Sequence, residues 1–180
     1  VAEQEELLAS SLEERLEAAA EVAKAGYRVG FHFEPLVLHE SWEEGYRGTV
    51  SRIFSLIPPD SIAWVSIAAL RYHPLQQQLM LERFPGSRLP LGEHFLGSDN
   101  KLRIPQPIRF KMLKFLWQEL KKGRERLPVY MCMESPAAWR AVIGALPARV
   151  EDAAEVYARG LGGVDNTTCP CTSAKACDKR

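Results

Sequence analysis

The run Ile62-Ala63-Trp64-Val65-Ser66-Ile67-Ala68-Ala69-Leu70 contains a single polar residue, and no other stretch restricts the fold as much. A strand so uniformly apolar needs cover on both faces, which is the situation in a parallel sheet flanked by helices. LPVYMCM (127–133) is a second run of this kind. Ahead of them, Tyr27 to Glu34 alternates strictly. Tyr27, Val29, Phe31 and Phe33 share one face; Arg28, Gly30, His32 and Glu34 share the other, and Pro35 is expected to end the strand.

The segments between these strands read as helices. Ser11 with Glu14 forms a capping box before apolar positions Leu12, Leu16, Ala19, Ala20 and Ala23, and Gly26 supplies the stop. Ser41 with Glu44 predicts a second capping box, opening a helix through Trp42, Tyr46, Val50, Ile53, Phe54 and Ile57 that Pro58-Pro59 closes. A short helix is expected from Leu75 to Arg83, then a β-hairpin over 92–105 around Gly97-Ser98-Asp99-Asn100. Pro107 predicts a helix start, with Ile108, Met112, Phe115, Leu116 and Leu120 on one face. Ser135-Pro136 opens a helix through Ile143, and a last helix is expected at about 150–159. Strand and helix alternation makes the class α/β with parallel strands and right-handed crossovers. Three main strands are too few for a closed barrel. The chain therefore reads as the C-terminal half of a βα barrel, or an open βα layer, forming one domain over 1–160 with a flexible tail at 161–180.

Composition narrows the function. No apolar run reaches the ~20 residues that cross a bilayer, and no signal segment opens the chain, so a cytoplasmic, membrane-free protein is expected. Val1 in place of Met suggests a processed product or a fragment. The formal net charge of zero is uneven: residues 1–60 carry a net −7, and residues 91–126 a net +5. A basic stripe suits a polyanion, though a solvated helix face gives the same count. Serine-hydrolase and P-loop motifs are missing. Cys169, Cys171 and Cys177 match no zinc spacing.

Chemistry in a βα fold gathers at the C-terminal strand ends. His32 and Glu34 fall there, and Gly30 on the same face is expected to leave room for a ligand against the backbone. The alternative is a packed histidine and a turn carboxylate. Cys132 and Glu134 close the last strand, with Cys132 more simply a small buried hydrophobe. Lys101 and Arg103 on the hairpin, with Asp99 at its tip and Arg109 on the next helix, are expected to form one basic surface for phosphates.

The segments AGYRVGFHFEP, HESWEEGY, GSDNKLRI and YMCMES, in that order, resemble the C-terminal half of the spore photoproduct lyase family of radical SAM enzymes, over about residues 11–140. The resemblance implies a partial βα barrel of radical-SAM type, and in the full-length protein S-adenosylmethionine and a [4Fe-4S] cluster on C-x3-C-x2-C. It implies a 5′-deoxyadenosyl radical that reverts a thymine-dimer photolesion in DNA. Gly30, His32 and Glu34 match the family's G-F-H-F-[DE]-P segment near the cofactor side. Asp99, Lys101 and Arg103 match its D-G-K-x-R-Y hairpin motif, with Asn100 for Gly and Ile104 for Tyr. That Ile removes a ring able to wedge against bases, and restoring it as Tyr is expected to add stacking on an exposed base. The cluster motif is absent from this chain, so the chain alone is expected to be inactive. A radical SAM relative with a non-DNA substrate, or a non-catalytic nucleic-acid-binding domain, remains as an alternative.

Overall fold

Apolar strand runs separated by amphipathic helices give two small sheets and a helical layer. The structure, a computed structural model, describes residue 5 and residues 9–144. The helix expected at 150–159 and the tail lie outside the described residues. Helices α1 (Leu12–Lys24), α2 (Trp42–Leu56), α3 (Pro74–Arg83), α4 (Gln106–Gly123) and α5 (Pro136–Ile143) alternate with strands β1 (Val29–Leu36), β2 (Ile62–Ala69), β3 (Arg71–Tyr72), β4 (Phe95–Leu96), β5 (Leu102–Arg103) and β6 (Val129–Met131). The long strands form a parallel sheet in the order β1-β2-β6; the short ones form an antiparallel sheet in the order β3-β5-β4.

The apolar face of the parallel sheet builds the core. Phe33, Val65, Ile67, Val129 and Met131 meet Leu16 of α1, Val50 and Ile53 of α2, and Met112, Leu113, Leu116 and Leu120 of α4. Burying each of these side chains contributes about 1.5–3 kcal/mol before entropy is counted. Neighbouring helices pack in sequence, α1 on α2, α2 on α4 and α4 on α5, and α4 also lies across β2.

Local signals act where expected toward both ends of the described residues. Ser11 and Glu14 exchange both capping bonds, at 2.8 and 3.2 Å. Ser135 Oγ accepts from the Ala138 amide, and Gly144 at φ 79° closes α5. Three expectations fail. Ser41 sits in the left-handed region at φ 57° and makes no side-chain cap, so α2 starts without its capping box. β1 continues through Pro35 to Leu36 with a register shift, because an edge strand tolerates the missing amide. The buried face of α4 is rotated from the expected one. It runs through Arg109, Met112, Leu113, Leu116 and Leu120, leaving Ile108 37% exposed.

Candidate functional site

Alternation along β1, β2 and β6 sends one set of side chains to the face opposite the core. Gly30 pairs with Trp64, and His32 with Ser66, which in turn pairs with Tyr130. The Ser66 hydroxyl and His32 Nδ1 are hydrogen-bonded at 2.6 Å, and Nδ1 lies 3.6 Å from Glu34 Oε1. Trp64 sets its ring edge-on to His32 at 4.7 Å and to Tyr130 at 6.1 Å. Val29, Phe31 and Phe33 pack against the core as the alternation predicts.

Gly30 has a different role from the one its type suggests. A Cβ there would lie 2.5 Å from the Trp64 ring, so the indole, not a ligand, occupies the space over the backbone. Gly30→Ala is expected to push the indole aside and cost about 1 kcal/mol. Near-ultraviolet circular dichroism should lose its tryptophan signal in step with a urea melt; an unchanged spectrum would mean the ring is not seated there.

Cys132 follows β6, and its amide donates to the Ile67 carbonyl at 3.0 Å. Burial, with the Glu34 carboxylate beside it, pushes its thiol pKa up, so it is held as a neutral thiol. Met133 takes φ 51° and turns the chain, and Glu134 then folds beneath β2. Its Oε1 accepts from the Ala69 amide at 3.3 Å, and its Oε2 lies 3.4 Å from Arg109 Nε. The Glu134 side chain is 3% exposed and that of Arg109 10%. Burial raises the Glu134 pKa against the opposing pull of Arg109, and it lowers that of Arg109.

Arg109 is therefore not part of an exposed basic surface. Its place at the head of the stripe 109-112-113-116 carries it inward, where it meets Glu134. Arg103 differs from expectation as well. Its guanidinium folds over Gly97 onto Asp99, at 2.5 and 2.7 Å, and this pairing holds the Asp99 carboxyl well below the usual carboxylate range. A Cβ at Gly97 would collide with that guanidinium, and Asn100 takes the positive φ of 56° at the tip. Lys101 is half-buried beside them. Ile104, expected as a missing surface ring, is 6% exposed and belongs to the core.

The structure thus gathers Gly30, His32 and Glu34 with Ser66, Trp64 and Cys132 at one sheet face, and sets Asp99, Lys101 and Arg103 together on the second sheet. Sequence reading missed Ser66, although it is the lone polar residue in its run. A cleft of about 730 Å³ lies between residues 37–40, 91–94 and 104–105; Ile104, at the motif's Tyr position, lines it, and none of Gly30, His32, Glu34, Asp99, Lys101, Arg103 and Arg109 does. No helix among the described residues is long and apolar enough to cross a membrane.

Known proteins agree on one family. The family model described as spore photoproduct lyase matches residues 1–130. Spore photoproduct lyase of Bacillus subtilis (strain 168) is 35% identical over 86 residues, 47% of this chain and 25% of the relative. The Clostridium acetobutylicum protein of the same name is 27% identical over 84 residues, with the same shares. The chain spans about a quarter of the length of these curated relatives. A solved mutant spore photoproduct lyase with bound AdoMet and dinucleoside spore photoproduct superposes with a TM-score of 0.59 at 22% identity, covering 69% of this chain and 38% of that one. A second, with dinucleoside spore photoproduct, gives 0.60 over 68% and 39%. These structures establish a shared fold. With 130 of its 180 residues on the family model, this chain belongs to the spore photoproduct lyase family.

Proposed function

We propose that this chain forms the C-terminal half of a radical SAM lyase that repairs a thymine-dimer photolesion in DNA. The family match over residues 1–130 carries the reading. The polar cluster on the face opposite the core, with Glu34 and Cys132 toward the C-terminal ends of their strands, supports it, because βα folds bind their ligands at that end. Solved relatives bound to AdoMet and dinucleoside spore photoproduct lend further support.

His32 and Glu34 would line the cofactor side, with Gly30 beneath the Trp64 indole. Glu34 Oε1 is buried with the Cys132 thiol and the His32 ring as its polar neighbours and keeps acceptor capacity suited to the hydroxyl and ammonium groups of S-adenosylmethionine. When bound, that cofactor supplies radical hydrogen abstraction. Ser66 fixes the His32 ring, Trp64 shields the backbone at Gly30, and Cys132 stays protonated beside Glu34. The [4Fe-4S] cluster does not fit the described residues: three thiolates are needed, and Cys132 is the one described cysteine. Anaerobic reconstitution of the 180-residue chain with iron and sulfide is expected to give no [4Fe-4S] absorption. A stoichiometric cluster on Cys169, Cys171 and Cys177 would overturn this.

The DNA reading is tested by binding to duplex with and without the photolesion. Tighter binding to the lesion is expected; equal binding would favour a non-catalytic nucleic-acid-binding domain. Asp99 occupies the Arg103 fork that a phosphate would otherwise take. Asp99→Asn is therefore expected to steepen the slope of log affinity against log salt by about 0.9, and Lys101→Ala to flatten it by about 0.9. One observation favours the second reading, a non-DNA substrate: buried Ile104 puts no stacking ring where the family motif has Tyr. Absence of any binding to either duplex would put that reading first.

A further inference from the structure

Two residues to which neither the sequence analysis nor the proposed site gives a role meet where the two sheets join. Arg71 on β3 stands directly opposite Arg103 on β5. Like charges at such a pair are unfavourable unless anions offset them. Asp99 offsets Arg103 and Glu134 offsets Arg109. Arg71 makes no direct ion pair among the described residues; it shares the field of the Glu134 carboxylate with Arg109 and Arg103. Its Nη1 donates to the Met133 carbonyl at 3.2 Å and Nη2 lies against the Met133 sulfur, so several of its five N–H donors remain available.

Met133 is itself unusual. It holds a positive φ of 51°, which glycine would adopt without strain, and its apolar side chain is 64% exposed. An exposed thioether makes favourable contacts with an aromatic ring, and a guanidinium fork suits a phosphate. The two groups are in contact at the C-terminal end of β6, one residue from Cys132. We propose that Arg71 and Met133 form a nucleotide subsite, in which Arg71 takes a backbone phosphate and the Met133 thioether packs on the adjoining base. This rests on the DNA reading above and adds to it a contact pair outside the hairpin motif.

The test uses the 180-residue chain, fluorescence anisotropy, and two probes: an oligothymidylate of about eight nucleotides and an abasic strand of the same length. Arg71→Gln is expected to weaken both probes about tenfold and to lower the salt slope by about 0.7, the single-strand value for one phosphate. Met133→Gly is expected to weaken only the oligothymidylate, severalfold, while the melting temperature holds or rises; Met133→Leu should retain most of the affinity. If the wild type binds oligothymidylate and Arg71→Gln leaves the slope unchanged, the subsite is wrong and the DNA reading stands. If Met133→Gly lowers melting temperature and both affinities together, Met133 is structural and its half of the subsite fails. If the wild type binds neither probe nor lesion duplex, the DNA reading itself fails and takes the subsite with it.

Discussion

Arg109→Met is expected to cost about 3–5 kcal/mol at pH 8 and much less at pH 5, while Glu134→Leu costs a similar amount at both. The two side chains form a buried pair, and each loss strands a charge of different character. Stranded Glu134 can escape by taking a proton. Its folded-state pKa already stands above the ordinary 4.5 because of burial, and loss of the guanidinium raises it further. A raised folded-state pKa means that the folded form binds more protons than the unfolded one just above pH 4.5. The associated stability is therefore complete below that value and is lost as pH rises through the folded pKa. Stranded Arg109 has no such escape, since a guanidinium does not deprotonate in proteins. Urea melts of both variants at pH 5 and pH 8 measure this. A pH-independent deficit in Arg109→Met would show that Glu134 is not desolvated. Replacing both residues together, as Met and Leu, should recover most of the loss.

Ile104→Tyr is expected to destabilise the protein by about 2–3 kcal/mol and to leave DNA affinity unimproved. The family motif carries Tyr at this position, which would suggest a gain from stacking. Here the position is packed: Ile104 is 6% exposed, part of the apolar layer where it forms the wall of the cleft beside residues 37–40 and 91–94. A phenol ring is too large for the space Ile104 fills on its core side, so it strains the layer unless it turns into the cleft. Thermal melts and binding to lesion-bearing duplex decide the matter. Tighter binding at unchanged stability would show that the ring reaches the surface, and the neighbouring hairpin would have to move to allow it.

What the sequence determined by itself was whatever a few adjacent residues can encode. The uniform apolar run at 62–70 set a central parallel strand, and the alternation at 29–33 divided β1 into a core face and a polar face. Ser11-Glu14 and Ser135-Pro136 fixed helix starts because a cap is satisfied within its own first turn. Gly30, His32 and Glu34 were legible as one face for the same reason, since a period of two needs no distant partner. Tertiary structure decided the rest. Ser41 has the residue type of a cap, but the chain enters α2 in a left-handed conformation that no short-range pattern announces. Arg109 counted as one more cation until the packing of α4 turned it inward onto a carboxylate from the end of β6. Trp64 fills the space over Gly30, and Arg71 faces Arg103, because strand register joins residues far apart in sequence. Burial and pairing depend on which distant groups arrive at the same place. That is a property of the packed chain, and no local spacing contains it.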